Sequence, residues 1–174
     1  MEMIDRLSLG SLTAPLTAIA RREAPSATLH LDQGDDEYWC TSWRINDRAD
    51  RELFVEYPGR SIAPDLLRVG VYFRDAPDAT AVDANRTAAL EALTARRDGL
   101  AAFGAVCSFT PGSATRDEHT FAWGTPDLVR WLTAPCANRD LVWRWDLRAG
   151  PPDAGHVESV VREMAPVWRI WNAL

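Results

Sequence analysis

Lysine is missing from the chain altogether, and all nineteen basic side chains are arginine. That absence removes Schiff-base catalysis, a phosphate-binding loop with its Lys, and any nuclease site built on a Lys. Glutamine is reduced to Gln33 alone. Together with abundant Ala, Arg and Asp, this reads as the coding bias of a high-GC bacterial genome. Arginine then stands wherever other proteins use lysine, without a functional reason at each position.

Cysteine is scarce too. Cys40, Cys107 and Cys136 are odd in number and far apart, which fits a reduced cytosol better than a disulfide framework. None has metal-ligand spacing, and His30, His119 and His156 form no triad by spacing, so neither a metal nor a cofactor is expected. Long apolar runs are lacking. The stretch 7–20 is broken by Ser, Gly, Thr and Pro15 and follows Glu2 and Asp5, so it reads as a helix and not a signal peptide. Nothing approaches membrane-spanning length, and the expectation is a cytoplasmic protein. Net charge of −6 and a pI near 5.0 argue against a nucleic-acid partner, whose binding rests on neutralising phosphates.

What the chain has in excess is tryptophan. Eight occur in 174 residues, and five adjoin an arginine, at Trp43-Arg44, Arg130-Trp131, Trp143-Arg144-Trp145 and Trp168-Arg169. Indoles supply apolar bulk, a cation-attracting face and one N–H donor, so they suit either a heavy core or a recognition surface.

The length fits a single domain, residues 1–174. Thr13-Ala14-Pro15 resembles a helix start, with Leu16, Ile19 and Ala20 as its apolar stripe. Residues 27–32 and 37–45 alternate around the turn Gln33-Gly34-Asp35-Asp36 and read as an antiparallel hairpin. Strands are expected at 52–57 and 67–74. The main helix is expected over 82–103, a second hairpin over 104–110 and 118–123, and another helix from Thr125. Residues 140–148 alternate in a way that favours a strand. The final segment is amphipathic, with Pro166 expected to kink it or divide it in two. The fold class is α+β: a mainly antiparallel sheet of five to seven strands with helices mostly on one face.

Pairing the hairpin with Asp32 opposite Glu37 sets Leu31 against Tyr38 and His30 against Trp39. Leu29, Leu31, Tyr38 and Cys40 then share one face, while His30, Trp39, Thr41 and Trp43 share the other. The strand at 67–74 turns Leu67, Val69, Val71 and Phe73 inward and Arg68, Gly70, Tyr72 and Arg74 outward. If the polar faces coincide, Trp39, Trp43, Arg68, Tyr72 and Arg74 form a ligand surface with His30, and Gly70 leaves room above the backbone. Aromatic walls, guanidinium groups and an imidazole suit a small aromatic or anionic molecule. A solvated sheet face is the plainer alternative.

His30 is the candidate catalytic group, although the sequence shows no partner for it. Asp32, Asp35, Asp36 and Glu37 lack calcium-loop spacing and read as a solvated turn. Cys107 reads as buried. Trp143 and Trp145 share a strand face with Leu141 and Leu147, which suits a core or a contact with a protein partner, a homodimer included. The functional expectation is a small-molecule binder, with a cofactor-independent enzyme inside that reading. The alternative is an interaction module, an adaptor or inhibitor in a bacterial defence or toxin system, that uses an Arg/Trp surface.

Overall fold

Alternating apolar residues make the first half of the chain a sheet, and two amphipathic helices cover one side of it. The computed structural model describes residues 9–73, 87–88, 91, 95, 106–110, 119–120, 139–148, 150 and 153–172. The elements are α1 (Leu9–Glu23), β1 (Thr28–Gln33), β2 (Trp39–Arg44), β3 (Arg51–Tyr57), β4 (Leu66–Phe73), β5 (Val106–Thr110), β6 (His119–Thr120), β7 (Arg139–Asp146) and α2 (Ala154–Trp171). The architecture is α+β. Strands β1 to β4 pair antiparallel in sequence order. β4 also pairs with β7, and β7 with β5. Residues 139–146 are thus a strand. The helix expected over 82–103 lies outside the described residues except at Thr87, Ala88, Glu91 and Ala95, which are helical. The helix expected from Thr125 also lies outside them.

Both described helices differ from expectation at proline. α1 begins at Leu9, ahead of Thr13, and carries Pro15 in its interior. α2 is one helix that runs through Pro166, started by Asp153, whose carboxylate accepts the His156 N–H at 2.8 Å. A proline removes one helical hydrogen bond, and each helix continues past it, α2 undivided, because tertiary burial on its apolar stripe outweighs that loss. Leu12, Leu16, Ile19 and Ala20 of α1 meet Val157, Val160, Val161, Met164 and Trp168 of α2 in the core.

The first hairpin adopts a register different from the expected one. Gln33 lies opposite Trp39, Leu31 opposite Thr41 and Leu29 opposite Trp43. The shift is odd, so every β2 side chain changes face relative to β1. Trp39 and Trp43 therefore point toward the helices, in one buried layer with Leu53, Val55, Tyr57, Leu67, Val69 and Val71. The physical reason lies in the residues in phase with Tyr38 and Cys40. The expected register would have buried Arg44 under the helices, at a cost that a charge without a partner cannot recover. The observed one buries two indoles, each contributing up to about 4–6 kcal/mol at ~25 cal/mol per Å². Among the described residues, the two fully buried indole N–H groups find acceptors: Trp43 donates to Thr17 Oγ1 at 3.0 Å, and Trp168 to the Arg51 carbonyl at 3.3 Å.

The hairpin tip holds that register. Asp36 and Glu37 occupy the left-handed region, with φ of 60° and 64°. The acidic tip is exposed, but it is tied to the β3–β4 loop. The Arg60 N–H donates to the Asp36 carbonyl at 3.1 Å, the Ser61 N–H to the Asp36 carboxylate, and the Arg60 guanidinium lies 2.9 Å from Glu37. The hydrogen bonds from Ser61 hold the Asp36 carboxyl below its ordinary range. Gly59 makes the approach feasible: its φ is +92°, and a Cβ there would stand 3.1 Å from the Asp36 carbonyl oxygen.

Candidate functional site

The face of the sheet turned away from the helices carries most of the ionisable side chains of β1 to β4. Registers across β1 to β4 place its residues in three rows: Thr28, Arg44, Glu52 and Tyr72; His30, Ser42, Phe54 and Gly70; Asp32, Cys40, Glu56 and Arg68. Neighbours in a row are cross-strand partners, with Cβ atoms about 4.5–5.5 Å apart, so opposite charges meet directly. Arg44 Nε lies 2.5 Å from Glu52 Oε1, and Arg68 Nη1 lies 3.5 Å from Glu56 Oε2. Phe54, between the two pairs, is buried, as is Gly70 opposite it.

Two depressions lie side by side on this face. One, of about 240 Å³, is bordered by His30, Asp32, Ser42 and Arg44, and the other, of about 250 Å³, by Phe54, Glu56, Arg68 and Tyr72. They share Tyr38, Cys40 and Glu52, so they form one groove across β2 and β3.

Burial sets the protonation of the groove. It pushes the Cys40 thiol far up, with Glu56 and Glu52 adding to the effect. Burial likewise raises the Tyr38 phenol. Both stay neutral and act as hydrogen-bonding groups, and Cys40 lacks the thiolate character of a nucleophile. Burial raises the Glu56 carboxyl as well, against the opposing pull of Arg68.

His30 has a partner that its own strand does not reveal. Its Nε2 lies 2.9 Å from Asp47 Oδ1 and 3.1 Å from Thr28 Oγ1. Asp47 reaches β1 because Asn46 and Asp47, in the β2–β3 turn, both take left-handed φ values, 53° and 58°. A carboxylate that orients an imidazole is the arrangement proton transfer requires.

Of the residues expected to bind ligand, Arg68 and Tyr72 share this groove with His30. Trp39 and Trp43 do not: the register correction puts them on the opposite face, in the core. Arg74 lies outside the described residues. Trp143 and Trp145 stand opposite Val69 and Leu67, which belong to the buried layer. The side chain of Cys107 also lies outside the described residues. Tyr38, Cys40, Arg44, Asp47, Glu52, Phe54 and Glu56 were missed. All but Asp47 and Tyr38 follow from alternation once the hairpin is paired correctly, and the Asn46-Asp47 turn was the available signal for Asp47.

Among the described residues, no group of three or more His, Cys, Asp or Glu could hold a metal ion, and no helix is long and apolar enough to cross a membrane. No protein-family model, curated protein or solved structure matches the chain.

Proposed function

We propose that residues 1–174 form one domain whose sheet, read from the sequence as five to seven strands, binds a small aromatic or anionic molecule on its polar face. The observation that carries this reading is the groove itself. Arg68, Tyr38, Phe54 and Tyr72 border or line a depression of about 250 Å³. That volume falls below the ~300–1,000 Å³ of sites for drug-sized ligands, which suits a small metabolite with one ring or one acidic group. A carboxylate or phosphate would engage the Arg68 guanidinium, and a ring would lie against the tyrosines.

Glu56 gives this binding a chemical signature. When an anion takes over Arg68, Glu56 loses its counter-charge inside a partly desolvated site and takes up a proton. Binding is therefore coupled to proton uptake, and affinity falls as pH rises above the ordinary carboxylate range. His30, oriented by Asp47, is the candidate proton-transfer group if the ligand is also a substrate, and no cofactor enters this reading.

The alternative, an interaction module contacting a partner through Trp143 and Trp145, requires those residues on an open surface. Their β4 partners belong to the core layer, so the groove is the better-supported site. The test is a thermal-shift screen of aromatic carboxylates, phosphates and neutral aromatics. A hit should raise Tm in the wild type and fail to do so in Arg68→Ala and Tyr72→Ala. A screen without hits, or hits indifferent to both substitutions, refutes the reading.

A further inference from the structure

The strand β1 is the first in the sheet order, so among the described residues only one of its two edges is paired. The other edge is accessible: Leu31 is 54% exposed, and Thr28, Asp32 and Gln33 are exposed as well. Beside it, on the helix side, a shallow groove of about 730 Å³ is bordered by Ala14, Thr17 and Ala18 of α1 and by Leu29 and Leu31. An unpaired strand edge of this kind offers its backbone N–H and C=O groups to another strand.

We infer that the occupant is a second copy of this chain, joined by antiparallel β1–β1 pairing with a two-fold axis at Leu31. The register follows from three constraints. Odd registers place the polar face of one copy beside the helix-covered face of the other, and are excluded by burial. Among registers that keep the faces aligned, an axis at Asp32 sets two carboxylates against each other, and an axis at His30 sets two imidazoles against each other. An axis at Leu31 instead places His30 of each copy opposite Asp32 of the other, twice by symmetry, and Leu31 against Leu31 on the apolar side. Among the described residues both contacts of His30 use Nε2, so Nδ1, in the protonated imidazole, is the atom that donates to Asp32 across the axis. The edge is thus self-complementary in charge and in apolar character, as an isologous interface requires. The groove between α1 and β1 closes over the paired leucines.

Sedimentation velocity on the full chain at increasing concentration should show a monomer–dimer equilibrium. Leu31→Arg sets like charges on the axis and should abolish the dimer, with circular dichroism unchanged because Leu31 is exposed in the monomer, and with a Tm that no longer rises with protein concentration as the wild type's does. Asp32→Asn should weaken the dimer several-fold. Leu31→Cys should be cross-linked between copies by a short thiol-bridging reagent, since opposite Cβ atoms stand about 4.5–5.5 Å apart, just beyond direct disulfide reach, while Leu29→Cys, opposite Gln33, should not. A monomer at every concentration overturns the inference. So does a dimer that survives Leu31→Arg, or a Leu31→Cys variant that fails to cross-link.

Discussion

The two faces of the β1 to β4 sheet come from the same alternating strands, yet different physics governs them. On the helix side, Trp43, Leu53, Val55, Val69 and Val71 are fully buried against Leu16, Val160 and Trp168. On the other side, Arg44 pairs with Glu52 and Arg68 with Glu56 around a half-buried groove. Burying an indole is worth several kcal/mol, while a half-buried ion pair contributes little once the cost of desolvating its charges is subtracted from their attraction. The apolar side therefore sets the register, and the polar side inherits whatever residues fall in the opposite phase. Those inherited residues include the arginines, tyrosines and carboxylates proposed for ligand binding.

Substitutions should separate the two faces, and the largest effect belongs to the core. Trp43→Ala and Trp168→Ala should each lower the unfolding free energy by about 3–5 kcal/mol in urea titrations. A loss below about 1 kcal/mol would remove the distinction between the faces. Next comes Arg68→Ala, expected to cost about 1 kcal/mol or less while eliminating ligand-induced stabilisation. A loss as large as that of the tryptophans would make Arg68 a structural residue.

A smaller effect is visible in the pH dependence of stability. Burial raises the Glu56 carboxyl above 4.5, so its stabilising contribution is present below that value and fades as pH climbs through the raised one. Glu56→Gln should therefore gain stability relative to wild type as pH rises from about 4.5 toward neutrality. Asp50 behaves oppositely. The hydrogen bonds from Arg48 hold its carboxyl below 3.8, so its contribution is present above that value and disappears in acid. Asp50→Asn should lose its deficit against wild type as pH falls. Equal pH profiles for the two variants would contradict the assigned causes.

The least effect concerns Cys40. Its thiol should react with iodoacetamide at pH 7 at least ~10-fold more slowly than an unhindered cysteine, because little thiolate forms. Fast alkylation would mean that the groove is wetter than its geometry indicates.

Much of the fold was legible in the chain. The alternation of residues 67–72 and the stripe of Val157, Val160, Val161, Met164 and Trp168 each report a local preference that the structure keeps. The site was only half legible. Arg68 and Tyr72 were assigned to the polar face because β4 has one clean apolar phase. In β2 both phases carry aromatic residues, Tyr38 in one and Trp39 with Trp43 in the other, so periodicity could not choose between them.

By itself the sequence determined the elements and the chemistry that is missing: an α+β chain without lysine, with helices and strands set by periodicity and turn residues. Only the tertiary structure decided which face each β2 residue occupies and that Asp47 would meet His30. The reason is physical. Period and propensity are local properties, whereas register depends on what lies above the sheet, and here α1 and α2 offer apolar surface that two indoles can fill and Arg44 cannot.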